Sequence, residues 1–198
     1  MNLIFRAAVA AIALLATTLT QAADFTLSGT IQNHNDIVAI DFSLAASGGV
    51  DIWSDSWRSG ANFDPTAALW LKSGADFTLV AAVDDDDTIA PGQGFYDTGF
   101  SLASLAAGDY RVTLGAAINA PVGALLSQGF SYDAETPIRL SLWNQPSYDP
   151  NANDQKGGFW QLHFSGVDSV AAVPEPSAWT MLAIGLVALG AAARRREG

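Results

Sequence analysis

The sequence predicts an all-β protein: an antiparallel β-sandwich of jelly-roll type between an N-terminal signal helix and a single C-terminal transmembrane helix. Three observations carry that expectation. Between the two ends, apolar and polar residues alternate with a period of two in short runs. Turn signals such as Ser47-Gly48-Gly49, Lys72-Ser73-Gly74 and Ala107-Gly108-Asp109 separate those runs. No amphipathic helical window of useful length lies between the ends. Sequentially linked short strands of this kind imply two packed sheets.

Residues 1–22 have the form of a secretory signal peptide. Arg6 supplies the positive n-region, Ala7 to Ala16 is unbroken apolar chain, and Thr20-Gln21-Ala22 places small residues at a cleavage site. Residues 23–170 form the expected mature domain. The clearest alternation lies in Ile37–Leu44, where Val38, Ile40, Phe42 and Leu44 share a face, and in Gly158–Ser165, where Trp160, Leu162 and Phe164 do. Phe25–Ile31, Val50–Trp57, Ala68–Lys72, Phe77–Val83, Tyr110–Ala116 and Pro137–Trp143 are the other strand candidates. No internal repeat is visible.

The third segment, 171–198, opens with Val173-Pro174-Glu175-Pro176-Ser177. Seventeen uncharged residues, 177–193, follow, about 25 Å of helix at 1.5 Å per residue. That length just crosses a thin hydrocarbon core. Arg194, Arg195 and Arg196 would hold the far end in the cytoplasm.

Composition excludes several functions. The 198 residues carry a net charge of −11, and the stretch 24–168 holds eighteen acidic residues against five basic ones. Such a chain repels phosphate backbones, so no nucleic-acid partner is expected. The absence of cysteine removes disulfide frameworks, thiol catalysis and cysteine metal sites together. No G-x-S-x-G elbow, H-E-x-x-H helix or phosphate-binding glycine loop occurs. His34 and His163 are too few for a multi-histidine metal site, and surface roles suffice for both. Asp133 and Glu135 imitate a glycosidase pair only weakly.

Two features point to ligands. Asp84, Asp85, Asp86 and Asp87 are four adjacent carboxylates whose mutual repulsion a hard cation would relieve. Asp64 and backbone carbonyls would have to complete a calcium shell, and a solvated loop that keeps a sheet end soluble and free of edge pairing is the favoured reading of the run. Asp149-Pro150-Asn151-Ala152-Asn153 opens like a calcium loop, but Asp154 and Trp160 stand where glycine and glutamate are needed. The second feature is aromatic. Trp53, Trp57, Trp143 and Tyr148, with Asn144 and Gln145, could form a platform on which a sugar ring stacks, against the alternative that each fills the core.

The C-terminal residues resemble the PEP-CTERM sorting signal of bacteria with an exopolysaccharide system: a Pro-Glu-Pro motif, an apolar helix and an Arg-rich end, in that order. The resemblance implies that an exosortase, a membrane-embedded cysteine protease, recognises and removes the tail. Similar tails are also labelled ice-binding protein C-terminal domains, yet the Thr-x-Thr arrays of an ice-binding face are absent here. Asn35-Asp36-Ile37, Asp41-Phe42-Ser43-Leu44, Phe63-Asp64-Pro65, Leu69-Trp70-Leu71 and Leu105–Val112 resemble a bacterial pre-peptidase C-terminal (PPC-like) domain. That family implies an accessory or binding module without a catalytic role.

The expected function is therefore that of an exported, non-catalytic envelope or exopolysaccharide-matrix protein with a structural or adhesive role. Its partners would be the exosortase, the secretion machinery, exopolysaccharide and, transiently, the inner membrane. The alternative is a calcium-dependent carbohydrate-binding module, and a secreted hydrolase is a distant third.

Overall fold

The computed structural model describes residues 23–144 and 156–172. The signal peptide, Tyr148, the Asp149–Asn153 loop, the Pro174-Glu175-Pro176 motif, the helix at 177–193 and the arginine triplet lie outside those residues. Among the described residues no helix is long and apolar enough to cross a membrane.

Among the described residues nine strands form: β1 (Ala23–Thr30), β2 (Val38–Leu44), β3 (Gly48–Ser54), β4 (Pro65–Ser73), β5 (Asp76–Val83), β6 (Gly99–Leu105), β7 (Gly108–Ala116), β8 (Phe159–Val167) and β9 (Ser169–Ala172). One sheet has the order β1-β8-β3-β6 and the other β5-β4-β7-β2-β9. The antiparallel pairs are nested, first with eighth, second with seventh, third with sixth and fourth with fifth. That is a long hairpin rolled into two sheets, the jelly roll expected from the sequence. Only β4 and β5 pair as consecutive strands, so sequential linkage does not mean sequential pairing.

The core follows the alternation. Ile40, Phe42 and Leu44 of β2 face Val50 and Ile52 of β3 and Leu162 and Phe164 of β8 across the sandwich, all of them buried. Phe42 stacks on Tyr110 at 5.2 Å and tilts against Phe164 at 5.8 Å, so one ring joins both sheets. In β4, Pro65 to Trp70 are buried on both faces. The chain after β7 pairs along the free edge of β5, where Leu79 donates its N–H to the Ala124 carbonyl, and then lays Phe130 on the outer face of that sheet. Trp70 lies beneath this cover, its Nε1 donating to Thr113 Oγ1 at 2.9 Å with the Phe130 ring edge-on.

Four differences from the sequence reading have physical causes. β6 was not anticipated, because its Gly99, Ser101, Ala103 and Ser104 dilute the apolar signal of Phe100, Leu102 and Leu105. Pro137–Trp143 is not a strand: Leu140–Leu142 makes a 3₁₀ turn that buries Leu140 and turns Leu142 outward. β3 ends at Ser54 rather than Trp57, because the chain turns there to meet the loop before β6. The folded unit also continues past residue 170, since Val170, Ala171 and Ala172 pair with Phe42, Asp41 and Ile40.

The two ends of the sandwich are unlike. One carries the short links at 45–47, 74–75, 106–107 and 168. The other carries the long connections 31–37, 55–64, 84–98 and 117–158, and Ala172 leaves the sheet at this same end.

Candidate functional site

The long-loop end gathers most of the polar chemistry. Asp64 is 3% exposed, and its carboxylate lies with those of Asp84 and Asp85 such that one ligand oxygen from each falls within 4.8 Å of the others. Asp64 precedes β4 and Asp84 follows β5, so pairing between the two strands brings them together. Desolvation at the sheet end pushes the Asp84 carboxyl above its ordinary value, partly opposed by a hydrogen bond from Thr66. Asp86 and Asp87 fall outside the group. Asp86 Oδ1 instead accepts Thr88 N–H at 2.9 Å and Thr88 Oγ–H at 2.6 Å, a local turn. One oxygen from each of three carboxylates makes three of the roughly 6–8 that calcium takes, so the remainder would be carbonyls or water.

Beside this group the loops are pinned by a carboxylate that the sequence did not single out. Asp97 is 1% exposed. Its Oδ1 accepts Ser54 Oγ–H at 2.5 Å, Ser56 N–H at 2.7 Å and Trp57 N–H at 3.2 Å. Its Oδ2 accepts Gly94 N–H at 2.9 Å. A buried charge is tolerated when its lone pairs are filled in this way. Little local distinguishes Asp97 from the other aspartates, because only the Gly94 donor is near in sequence and the three on Oδ1 come from residues 40 to 43 positions away.

His34 is fully buried rather than on the surface. Nδ1 accepts the Ile138 N–H at 3.2 Å, which leaves the proton on Nε2 to be donated to Glu135 Oε2 at 2.9 Å. The ring packs between Tyr132 at 5.3 Å and Trp143 at 5.1 Å. Desolvation pushes the Tyr132 hydroxyl up, with the negative charges of Glu135 and Asp84 adding to it. Asp133 Oδ2 accepts Phe130 N–H at 2.8 Å. The two acids that imitate a glycosidase pair thus hold different parts of the same cover.

The aromatic platform is divided. Trp143 is 9% exposed and belongs to the core, so it offers no stacking face. Trp53 points outward from the four-stranded sheet and stacks on His163 at 4.9 Å with an interplanar angle of 11°. His163 also meets Thr26 Oγ1 at 3.0 Å, and desolvation lowers its pKa against the opposing pull of Asp55 and Asp97. Trp57 lies beyond the end of β3 and packs on Tyr96 at 5.2 Å, next to Phe95, which is 62% exposed. Arg58 lies 3.9 Å over the Phe159 ring and donates to Gln161 Oε1 at 3.1 Å. Trp53, His163, Phe159 and Gln161 therefore share one solvent-facing sheet surface that reading single strands did not assemble.

Where β9 ends, a recognisable pattern begins. Residues 172–196 match the family model of the PEP-CTERM protein-sorting motif. The chain carries a PEP-CTERM sorting signal. The motif contains the Pro174-Glu175-Pro176 stretch and Arg194 to Arg196, and it indicates a protein sorted by an exosortase to the cell envelope through an exported, membrane-anchored precursor. No curated protein matches the chain. Among solved structures it is similar to the crystal structure of the Yersinia pseudotuberculosis-derived mitogen (YPM), at 12% identity and a TM-score of 0.40 over 79% of this chain and 93% of that one.

Proposed function

We propose that the folded unit is a non-catalytic β-sandwich which exosortase processing delivers to the cell surface or the exopolysaccharide matrix, where its role is structural or adhesive. The PEP-CTERM motif that begins on the last residue of β9 is the observation that carries this reading. Adhesion would use the Trp53–His163 surface: stacked rings and amide, hydroxyl and guanidinium groups suit a polysaccharide whose sugar faces are apolar and whose edges are hydroxylated. The PPC-like resemblance agrees with an accessory binding module. The test is replacement of Pro174, Glu175 and Pro176 by alanine in the native host. Export should continue while full-length precursor accumulates in the inner membrane, and deletion from Pro174 onward should release the domain to the periplasm. A wild-type protein that remains full-length and fractionates like the alanine variant would make the tail a simple anchor.

A second reading, calcium-dependent carbohydrate binding, is favoured by the meeting of Asp64, Asp84 and Asp85 from separate chain segments. Glycan arrays run with and without chelator separate it from the first, since only this reading makes binding depend on the ion.

A further inference from the structure

We propose that β9 is a releasable strap: it must peel from the edge of β2 before the tail can be processed, so the fold itself gates the sorting step. The proposal rests on the exosortase reading above. The sorting motif and the folded sheet share a residue, because Ala172 is both the first residue of the motif and the last of β9, paired with Ile40. Pro174 is two residues on, at most about 7 Å away along an extended chain. A protease cleft takes its substrate as an extended segment with its backbone groups available. With β9 in place, the backbone on the domain side of the motif is held in a sheet. Ala172 lies at the end of the sandwich that also carries the 84–98 connection.

Opening the strap costs the core little, because of its four residues only Val170 packs against the buried cluster. β9 is an edge strand with four paired positions. Ser169, Ala171 and Ala172 are exposed, and Val170 is only half-buried. Its root is clipped by Asp168, whose Oδ2 accepts Ala45 N–H at 2.6 Å and whose N–H donates to the Ser43 carbonyl at 3.0 Å. The Ser43 and Ser169 hydroxyls meet at 2.7 Å. Before the clip, Val167 is fully buried and stops the peel. Freeing residues 168–172 adds about 17 Å of reach while β8 stays paired, at about 3.4 Å per residue. Processing itself hydrolyses one backbone amide: water supplies the hydroxyl of the new carboxyl end and the proton of the leaving amine. β9 takes no part in that chemistry and sets only access.

The test staples the strap in the full chain, expressed with its processing machinery. Ser43→Cys/Ser169→Cys introduces a pair of thiols into a chain that has no other cysteine. Intact mass and membrane fractionation report the ratio of processed protein to precursor. The oxidised double variant should be processed at least about tenfold less than wild type, as expected when a required local opening is blocked. Reduction of isolated membranes should restore processing, and so should a six-residue Gly/Ser insertion between Ala172 and Val173 in the oxidised variant. Independently of any disulfide, Asp168→Ala should speed processing by loosening the root. Wild-type processing of the oxidised variant, no rescue by the insertion, or an unchanged rate in Asp168→Ala would each overturn the strap. If wild-type chain is itself never processed, the sorting reading falls and the strap with it, whereas a processed wild type with an equally processed staple removes the strap alone.

Discussion

Replacing Asp97 tests whether one buried carboxylate organises the long-loop end. Asp97 fills both oxygens with four donors, three of them backbone N–H groups that have no side-chain freedom to seek other partners. In Asp97→Ala those donors lose their acceptor in a space already closed to solvent. Each stranded group costs about 1–3 kcal/mol, less whatever water recovers on entering the gap, so a net loss of about 3–5 kcal/mol is expected. Against a total stability of about 5–15 kcal/mol, that is a large fraction. In a domain of this size about 1 kcal/mol moves the midpoint by some 2–4 °C, so the alanine variant should melt roughly 10 °C lower. Asp97→Asn is the sharper probe. Its carbonyl can keep the Ser54, Ser56 and Trp57 donors, but its NH₂ then confronts Gly94 N–H, at a cost of about 1–3 kcal/mol. Urea denaturation of residues 23–172, followed by tryptophan fluorescence, gives both values. An asparagine variant with the wild-type midpoint would refute the claim that Asp97 Oδ2 holds the Gly94 N–H, and an alanine variant within about 1 kcal/mol of wild type would refute the whole network.

Gly166 in β8 has φ +82°, and an added Cβ would meet the Gly49 carbonyl; Gly166→Ala should lower stability by at least about 2 kcal/mol in the same assay, whereas Gly48→Ala, with open space around it, should cost well under that. Desolvation holds the His163 pKa below its unfolded value, so as pH falls below about 6.5 the unfolded chain takes up the proton first and stability drops. His163→Gln should flatten the urea midpoint between about pH 7.5 and 5.5 relative to wild type. For Asp84 the sign is opposite: desolvation raises its carboxyl, so without an ion it contributes stability at low pH that is lost as the pH rises through the raised value. Calcium at the Asp64–Asp84–Asp85 group would compete with that proton. A calcium-induced rise in melting temperature should therefore grow as pH increases from about 4 to 7 and vanish in Asp84→Asn/Asp85→Asn, and no shift at about hundredfold varied calcium would leave a solvated loop.

The alternating strands were legible because each is written locally: Val38 to Leu44 and Trp160 to Phe164 show their buried face in seven or fewer residues. β6 was not, since its small residues make a strand only when β3 lies beside it. Ile138, Leu140 and Leu142 alternate like a strand, yet the chain there caps His34 and turns. The candidate acidic site was half legible. The run Asp84–Asp87 is conspicuous, but pairing of β4 with β5 selects Asp64, Asp84 and Asp85 and leaves Asp86 to its own turn.

Sequence by itself determined the β class, through a two-residue period that marks which side chains leave water. It also determined the sorting signal, because a processing enzyme reads that segment as contiguous chain. Tertiary structure decided which strands pair, which carboxylates converge, and that Trp143 and His34 are core while Trp53 and His163 form a surface. Those outcomes depend on partners supplied by residues from about 20 to 110 positions away, and no local pattern encodes a partner at that distance.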